Sequence, residues 1–151
     1  MKSLLIVYHS QSGTCAQLAF AACRGAREVA AVAPIVKRAW DTGIKELADA
    51  DGVLLVGAEN SASLNGGMKD FLDRVFYPAI ERGLVLPYAL LISAGNDGRG
   101  ARRQAQRILS GIPFTEAAEP MILRGEFCGE HARAAGELGE AFATGLEMGI
   151  F

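Results

Sequence analysis

The chain has 151 residues, half of them hydrophobic, and a formal net charge of −2. That length suits a single domain (1–151) burying roughly 70% of its unfolded surface, and the apolar content excludes intrinsic disorder. The near-neutral charge argues against nucleic acid, whose binding rests on a basic surface, and against an acidic carrier that docks on basic partners.

Met1–Tyr8 opens apolar but is too short for a signal peptide, and no small-residue cleavage site precedes His9. No apolar run approaches the roughly 20 residues that span a bilayer. Cys15, Cys23 and Cys128 are odd in number and spaced for neither a disulfide framework nor a zinc site. The expected setting is a reducing cytoplasm.

Leu4–Tyr8 is an unbroken apolar run, as in a central parallel strand. After a polar loop, Cys15, Leu18, Ala19, Ala22, Cys23 and Ala26 recur at helical spacing. Glu28–Val36 reads as an edge strand because Pro34 lies near its end. Ile44, Leu47 and Ala48 mark a short helix closed by Asp51-Gly52, and Val53–Gly57 is the next buried strand. A long loop is expected over 58–67, then a helix carrying Met68, Phe71, Leu72 and Val75 and stopping near Tyr77-Pro78.

Pro87–Ser93 is a further strand with the outgoing loop Ala94–Gly98. Ala101, Ala105, Ile108 and Leu109 stripe the following helix. Glu119–Leu123 reads as the last strand, and Ala135, Leu138, Phe142 and Leu146 stripe the closing helix. Strands alternating with helices specify an α/β, doubly wound domain. The expected sheet has five parallel strands in the order 2-1-3-4-5 with helices on both faces. Ligands in such folds bind beyond the carboxyl ends of the strands, where strand order reverses. That rule selects the loops after strands one, three and four.

The first of these, His9-Ser10-Gln11-Ser12-Gly13-Thr14-Cys15, joins a strand to a helix. Ser10, Ser12 and Thr14 supply hydroxyls, Gly13 allows close approach, and the helix N-terminus adds unpaired N–H groups. Together they form an anion site without Lys or Arg. A helix cap alone would need one hydroxyl, not three. The spacing matches neither a nucleoside-triphosphate P-loop nor a Gly-x-Gly-x-x-Gly dinucleotide loop.

Tyr8–Cys15 resembles the phosphate loop of flavodoxins and flavodoxin-like reductases, usually Ser/Thr-x-Thr-Gly-x-Thr, with Ser12 and Cys15 replacing two of the threonines. Gly57–Arg74 resembles the second signature of NADPH-dependent FMN reductases and their quinone-reductase relatives. It keeps Glu59, Gly66, Lys69, Asp70 and Asp73, and departs by Ala58 and by lacking an aromatic residue in the loop. Ser93–Gly98 fits the third flavin-contacting loop. The likeness runs from Met1 to about Glu126. It implies FMN as cofactor, held by Ser10, Gln11, Ser12, Gly13, Thr14, Cys15, Ala58, Glu59, Asn60, Ser61, Ala94, Gly95 and Asn96.

The same resemblance implies NAD(P)H as co-substrate, a ping-pong cycle, and a small acceptor: a quinone, azo compound, free flavin or oxygen. It also implies a homodimer or homotetramer, to which Phe76 and Tyr77, read as lying off the core stripe, would contribute. The rival readings are a non-enzymatic electron carrier of the flavodoxin type and a degenerate, flavin-free scaffold.

Other residues carry two readings each. Cys15 is an activated thiolate at a helix N-terminus or a core thiol on an apolar stripe. His9 is a ligand contact or a structural hydrogen-bonding group. Glu59 is a proton donor or a residue that caps and orients its loop. Arg99, Arg102, Arg103 and Arg107 either grip the phosphates of NADPH or form a solvated helix face. Cys23 reads as core, His131 as surface, and Trp40 carries no signal of its own.

Overall fold

The computed structural model describes every residue, Met1–Phe151. Strands β1 (Lys2–Tyr8), β2 (Val32–Arg38), β3 (Gly52–Asn60), β4 (Ser63–Leu64), β5 (Pro87–Ala94), β6 (Thr115–Glu116) and β7 (Met121–Arg124) form one sheet. Helices α1 (Thr14–Ala26), α2 (Ile44–Ala48), α3 (Gly66–Glu81), α4 (Arg99–Gly111) and α5 (Gly129–Met148) cover it. The order is β2-β1-β3-β5, with β6 and β7 both beside β5; all these pairings are parallel.

The expected five strands become seven for two physical reasons. The outer edge is split: Pro87 and Tyr88 pair with Thr115 and Glu116, and Leu91–Ala94 pair with Met121–Arg124. Between these, Pro120 has no N–H to give a ladder. The second reason is β4, which folds back antiparallel on β3, so the expected long loop 58–67 is mostly a hairpin.

Period-two alternation sorts the core. Leu5, Val7, Val53, Leu55, Leu90 and Ile92 face α2, α3 and α4 in one cluster. Leu4, Ile6, Leu54, Val56, Ala89 and Leu91 face α1 and α5 in the other. Both faces are thus covered, as a parallel sheet requires. Helices α1 and α5 approach closely: a Cβ at Gly139 would lie 2.0 Å from the Ala22 carbonyl oxygen.

Two boundaries and one burial reading move. β2 starts at Val32, and residues before it form a turn. Helix α3 does not stop at Tyr77-Pro78 but runs through Pro78 to Glu81. Only its last turn loses a bond, and buried Ala79 continues the face of Phe71, Leu72 and Val75. Phe76 is not off the core: it is partly buried against the first cluster, whereas Tyr77 is exposed.

Candidate functional site

At the carboxyl ends of β1, β3 and β5 the chain encloses a cavity of about 430 Å³. Its first wall is the loop leading into α1, contributing Ser10, Gln11, Ser12, Thr14 and Cys15. Gly13 sits at the N-cap with φ of 101°, a left-handed conformation that favours glycine, and its N–H donates to Ser10 Oγ at 3.0 Å. The first helical bond runs from the Gln17 N–H to the Gly13 carbonyl. No side chain caps α1, so the N–H groups of Thr14, Cys15 and Ala16 have no protein acceptor. Gly13 shapes this wall without lining the cavity.

The second wall is the end of β3: Ala58, Glu59 and Asn60. The hairpin beyond it turns on Ser61 and Ala62, both left-handed at φ 51° and 64°. Such two-residue turns usually carry Asn or Gly, and a side chain there costs roughly 1–2 kcal/mol per residue. Tertiary contacts hold the strained tip. The Leu64 N–H donates to Gln104 Oε1 at 2.7 Å, and the Ala62 carbonyl lies where a Cβ of Gly100 would sit. Asn60 Nδ2 donates to Gln11 Oε1, tying the hairpin to the first loop. Ser61 does not line the cavity.

Ser93, Ala94 and Gly95 form the third wall; Asn96 does not reach it. Gly125 and Glu126, which sequence reasoning did not single out, complete the lining. They follow the outermost strand, and the Gly125 N–H bonds the Ala94 carbonyl at 2.9 Å, drawing this turn to the mouth. The available signal was the Arg-Gly-Glu turn ending a strand beside β5, with Gly125 at φ 88°.

No family model matches the chain, and no curated protein does. Solved structures do. A flavodoxin from the domain Archaea superposes with a TM-score of 0.84 at 18% identity, covering 96% of this chain and 99% of its own. A WrbA-like flavodoxin from Agrobacterium tumefaciens gives 0.82 at 13%, over 98% and 99%. The rubredoxin oxygen:oxidoreductase of Desulfovibrio gigas gives 0.83 at 13%, over 98% of this chain and 37% of that one. The fold is flavodoxin-like.

On this flavodoxin-like frame several side chains take roles that the sequence left open. The Glu59 carboxylate caps α4. Its Oε1 accepts from the Gly98 N–H at 2.8 Å, and its Oε2 accepts from Gly100 and Ala101 at 3.0 and 3.3 Å. Three charge-assisted bonds commit it to structure rather than to proton transfer. Cys15 is buried, and burial pushes its thiol up to about 12, so it is a neutral core thiol and no nucleophile. Cys23 is core as expected, and Cys128 is exposed.

The arginine cluster does not line the cavity. Arg99 is held by Asp97, Nε to Oδ1 at 2.7 Å, and that bond keeps the Asp97 carboxyl below its usual range. Arg103 and Arg107 are exposed and Arg102 is half-buried. His9 accepts a hydrogen bond at Nδ1 from Trp40 Nε1 at 2.9 Å, outside the first cavity. The only charged groups lining the cavity are the carboxylates of Glu59 and Glu126.

Proposed function

We propose that the chain binds FMN along this cavity and passes electrons from NAD(P)H to a small acceptor such as a quinone, an azo compound or free flavin. The observation that carries the reading is the uncapped start of α1, whose free N–H groups meet the hydroxyl-bearing loop Ser10–Thr14 at the cavity wall. That donor set fits a phosphate monoester without a cation. Ala58, Asn60, Ala94 and Gly95 offer backbone and amide groups suited to a planar ring with hydrogen-bonding edges.

FMN, when bound, would supply the redox chemistry; the protein supplies position and electrostatics. The Ser10, Ser12 and Thr14 side chains anchor one end of the ligand, and the hairpin bonded through Asn60 to Gln11 fixes the width of the slot. No aromatic side chain lines the cavity, so none would stack over a bound ring and bar a hydride donor. The Glu59 and Glu126 carboxylates disfavour added negative charge there. With Arg99 engaged by Asp97, Arg102, Arg103 and Arg107 are the cluster's cations left to select NADPH, Arg102 and Arg103 being the nearer in sequence to the third wall. Exposed Tyr77, with Ile80 and Val85, is the surface we assign to self-association, checked by light scattering of the FMN-loaded protein.

The test is anaerobic stopped-flow bleaching of bound FMN by NADPH and NADH, followed by reoxidation with a quinone. Reduction faster than that of free FMN supports a reductase. If Arg102 and Arg103 hold the 2′-phosphate, Arg102→Ala or Arg103→Ala should lower the NADPH preference about tenfold. A second reading, an electron carrier, draws on the match to a stand-alone archaeal flavodoxin over nearly the whole of both chains. Reduction no faster than that of free FMN favours it, and failure to bind FMN favours a flavin-free scaffold.

A further inference from the structure

A second cavity of about 420 Å³ opens on the other side of the first loop, sharing Ser10 with the first. Its floor is Trp40, 69% exposed yet fixed in place. Trp40 stands in the short turn Ala39–Asp41, which Arg74 clamps by donating to the Ala39 and Thr42 carbonyls at 2.7 and 2.8 Å. The Thr42 hydroxyl donates to the Arg38 carbonyl at 2.7 Å, and Ala39 is fully buried. The indole N–H is satisfied by His9, whose ring lies nearly parallel to it at 19°, centroids 5.7 Å apart. His9 is itself pinned, since a Cβ at Gly67 would fall 2.1 Å from its Nδ1.

A rigid aromatic face beside a cavity loses little entropy when another ring stacks on it. Because His9 accepts at Nδ1, its neutral ring carries the proton on Nε2, which has no protein partner and remains a donor. The Ser10 hydroxyl accepts from Gly13 and keeps its own O–H to donate. Both donors belong to residues that line the same cavity as the Trp40 ring. The charges at the rim cancel, Arg38 being paired with Asp41 at 2.8 Å, so nothing selects an anion. We infer that this second cavity binds a neutral, planar aromatic ring bearing a carbonyl oxygen, stacked on Trp40 and hydrogen-bonded by His9 and Ser10. Quinones and nicotinamide share that chemistry.

The two cavities share Ser10, whose one O–H serves a single ligand at a time, whereas Trp40 and His9 line only the second. Trp40 is the sole tryptophan, so indole emission reports this site alone. Titration of the full chain with a naphthoquinone and, separately, with nicotinamide should give saturable quenching by at least one, and the tighter probe names the source. Calorimetry should show about a tenfold loss of affinity in Trp40→Ala and in His9→Ala, with Trp40→Phe restoring part of it. In Ser12→Glu the quenching should persist even where FMN no longer binds, which separates this site from the flavin reading. Unsaturable quenching by both probes, matching that of free N-acetyltryptophanamide, overturns the inference. So does unchanged affinity in folded Trp40→Ala, or an emission shift that follows protein concentration without any probe, which would mean a second copy covers Trp40.

Discussion

Helices α1 and α4 begin alike at the same end of the sheet and are finished differently. Each starts from a left-handed glycine, Gly13 at φ 101° and Gly98 at φ 95°, both with ψ of −14°. Each points its first N–H groups toward the carboxyl ends of the strands. At α4 the Glu59 carboxylate accepts from three of the backbone N–H groups, at Gly98, Gly100 and Ala101. At α1 no side chain does so, and hydroxyls and a cavity stand there instead. One helix start is closed by the chain's own anion and the other is left open beside a cavity, where the proposed phosphate would close it. On that proposal the same partial charge serves stability in one place and binding in the other.

The largest expected effect comes from making α1 resemble α4. Ser12→Glu would offer a carboxylate to the free N–H groups and exclude phosphate. Losing two or more charge-assisted bonds should weaken FMN binding by about 4 kcal/mol, roughly a thousandfold. Fluorescence titration with FMN measures it; unchanged affinity would place the phosphate elsewhere. Inorganic phosphate should raise the melting temperature of the native chain but not of the variant.

Glycine replacement separates the two helix starts next. Gly98→Ala combines left-handed strain with a Cβ only 2.6 Å from Ile122 Cγ2, and should cost about 3 kcal/mol in urea unfolding. Gly13→Ala meets nothing within 4 Å and should cost about 1–2 kcal/mol from strain alone. Equal losses would show that the contact with Ile122 relaxes freely. Between them falls Glu59→Gln. It keeps an acceptor but removes the charge facing α4, for about 2 kcal/mol. If Glu59 served proton transfer instead, stability would hold while turnover fell.

This contrast also marks what could be read from the residues. The alternation of Leu4 and Ile6 against Leu5 and Val7, and the polar loop between Tyr8 and Cys15, give the layers and the first wall directly, because both are local patterns. The closing of α4 by Glu59 is not local: 39 to 42 residues separate the carboxylate from its donors. Nor does Ser61-Ala62 announce a hairpin, since neither residue favours the left-handed region that packing on α4 imposes. Trp40 gave no signal because its meaning comes from Arg74, His9 and Gly67, each distant in sequence. Asn65, buried with Nδ2 on the His9 carbonyl and an unpartnered Oδ1, is likewise visible only in three dimensions.

The smallest effect tests why α1 bears Cys15 where its resemblance to flavodoxin loops suggests a threonine. The thiol lines the cavity and also packs in the core cluster of α1 and α5. Cys15→Ser would add a hydroxyl donor, worth about 1 kcal/mol, so FMN should bind about fivefold tighter. The same hydroxyl sits partly among apolar neighbours, so the protein should lose about 1–2 kcal/mol of stability.

Alkaline titration gives a second readout. Burial raises this thiol from its ordinary 9.0 to about 12. Between those values the unfolded chain has released the proton while the folded chain holds it, so native stability falls as pH rises through that window. The variant removes this part of the slope. Tyr88, raised in the same direction by burial and by Glu116, leaves a residual slope at higher pH. Urea midpoints at pH 8 and pH 10.5 for both proteins read the difference, the native chain losing more. An equal loss in the two would mean that Cys15 titrates normally and is open to solvent, and α1 would then carry a reactive thiol at its start after all.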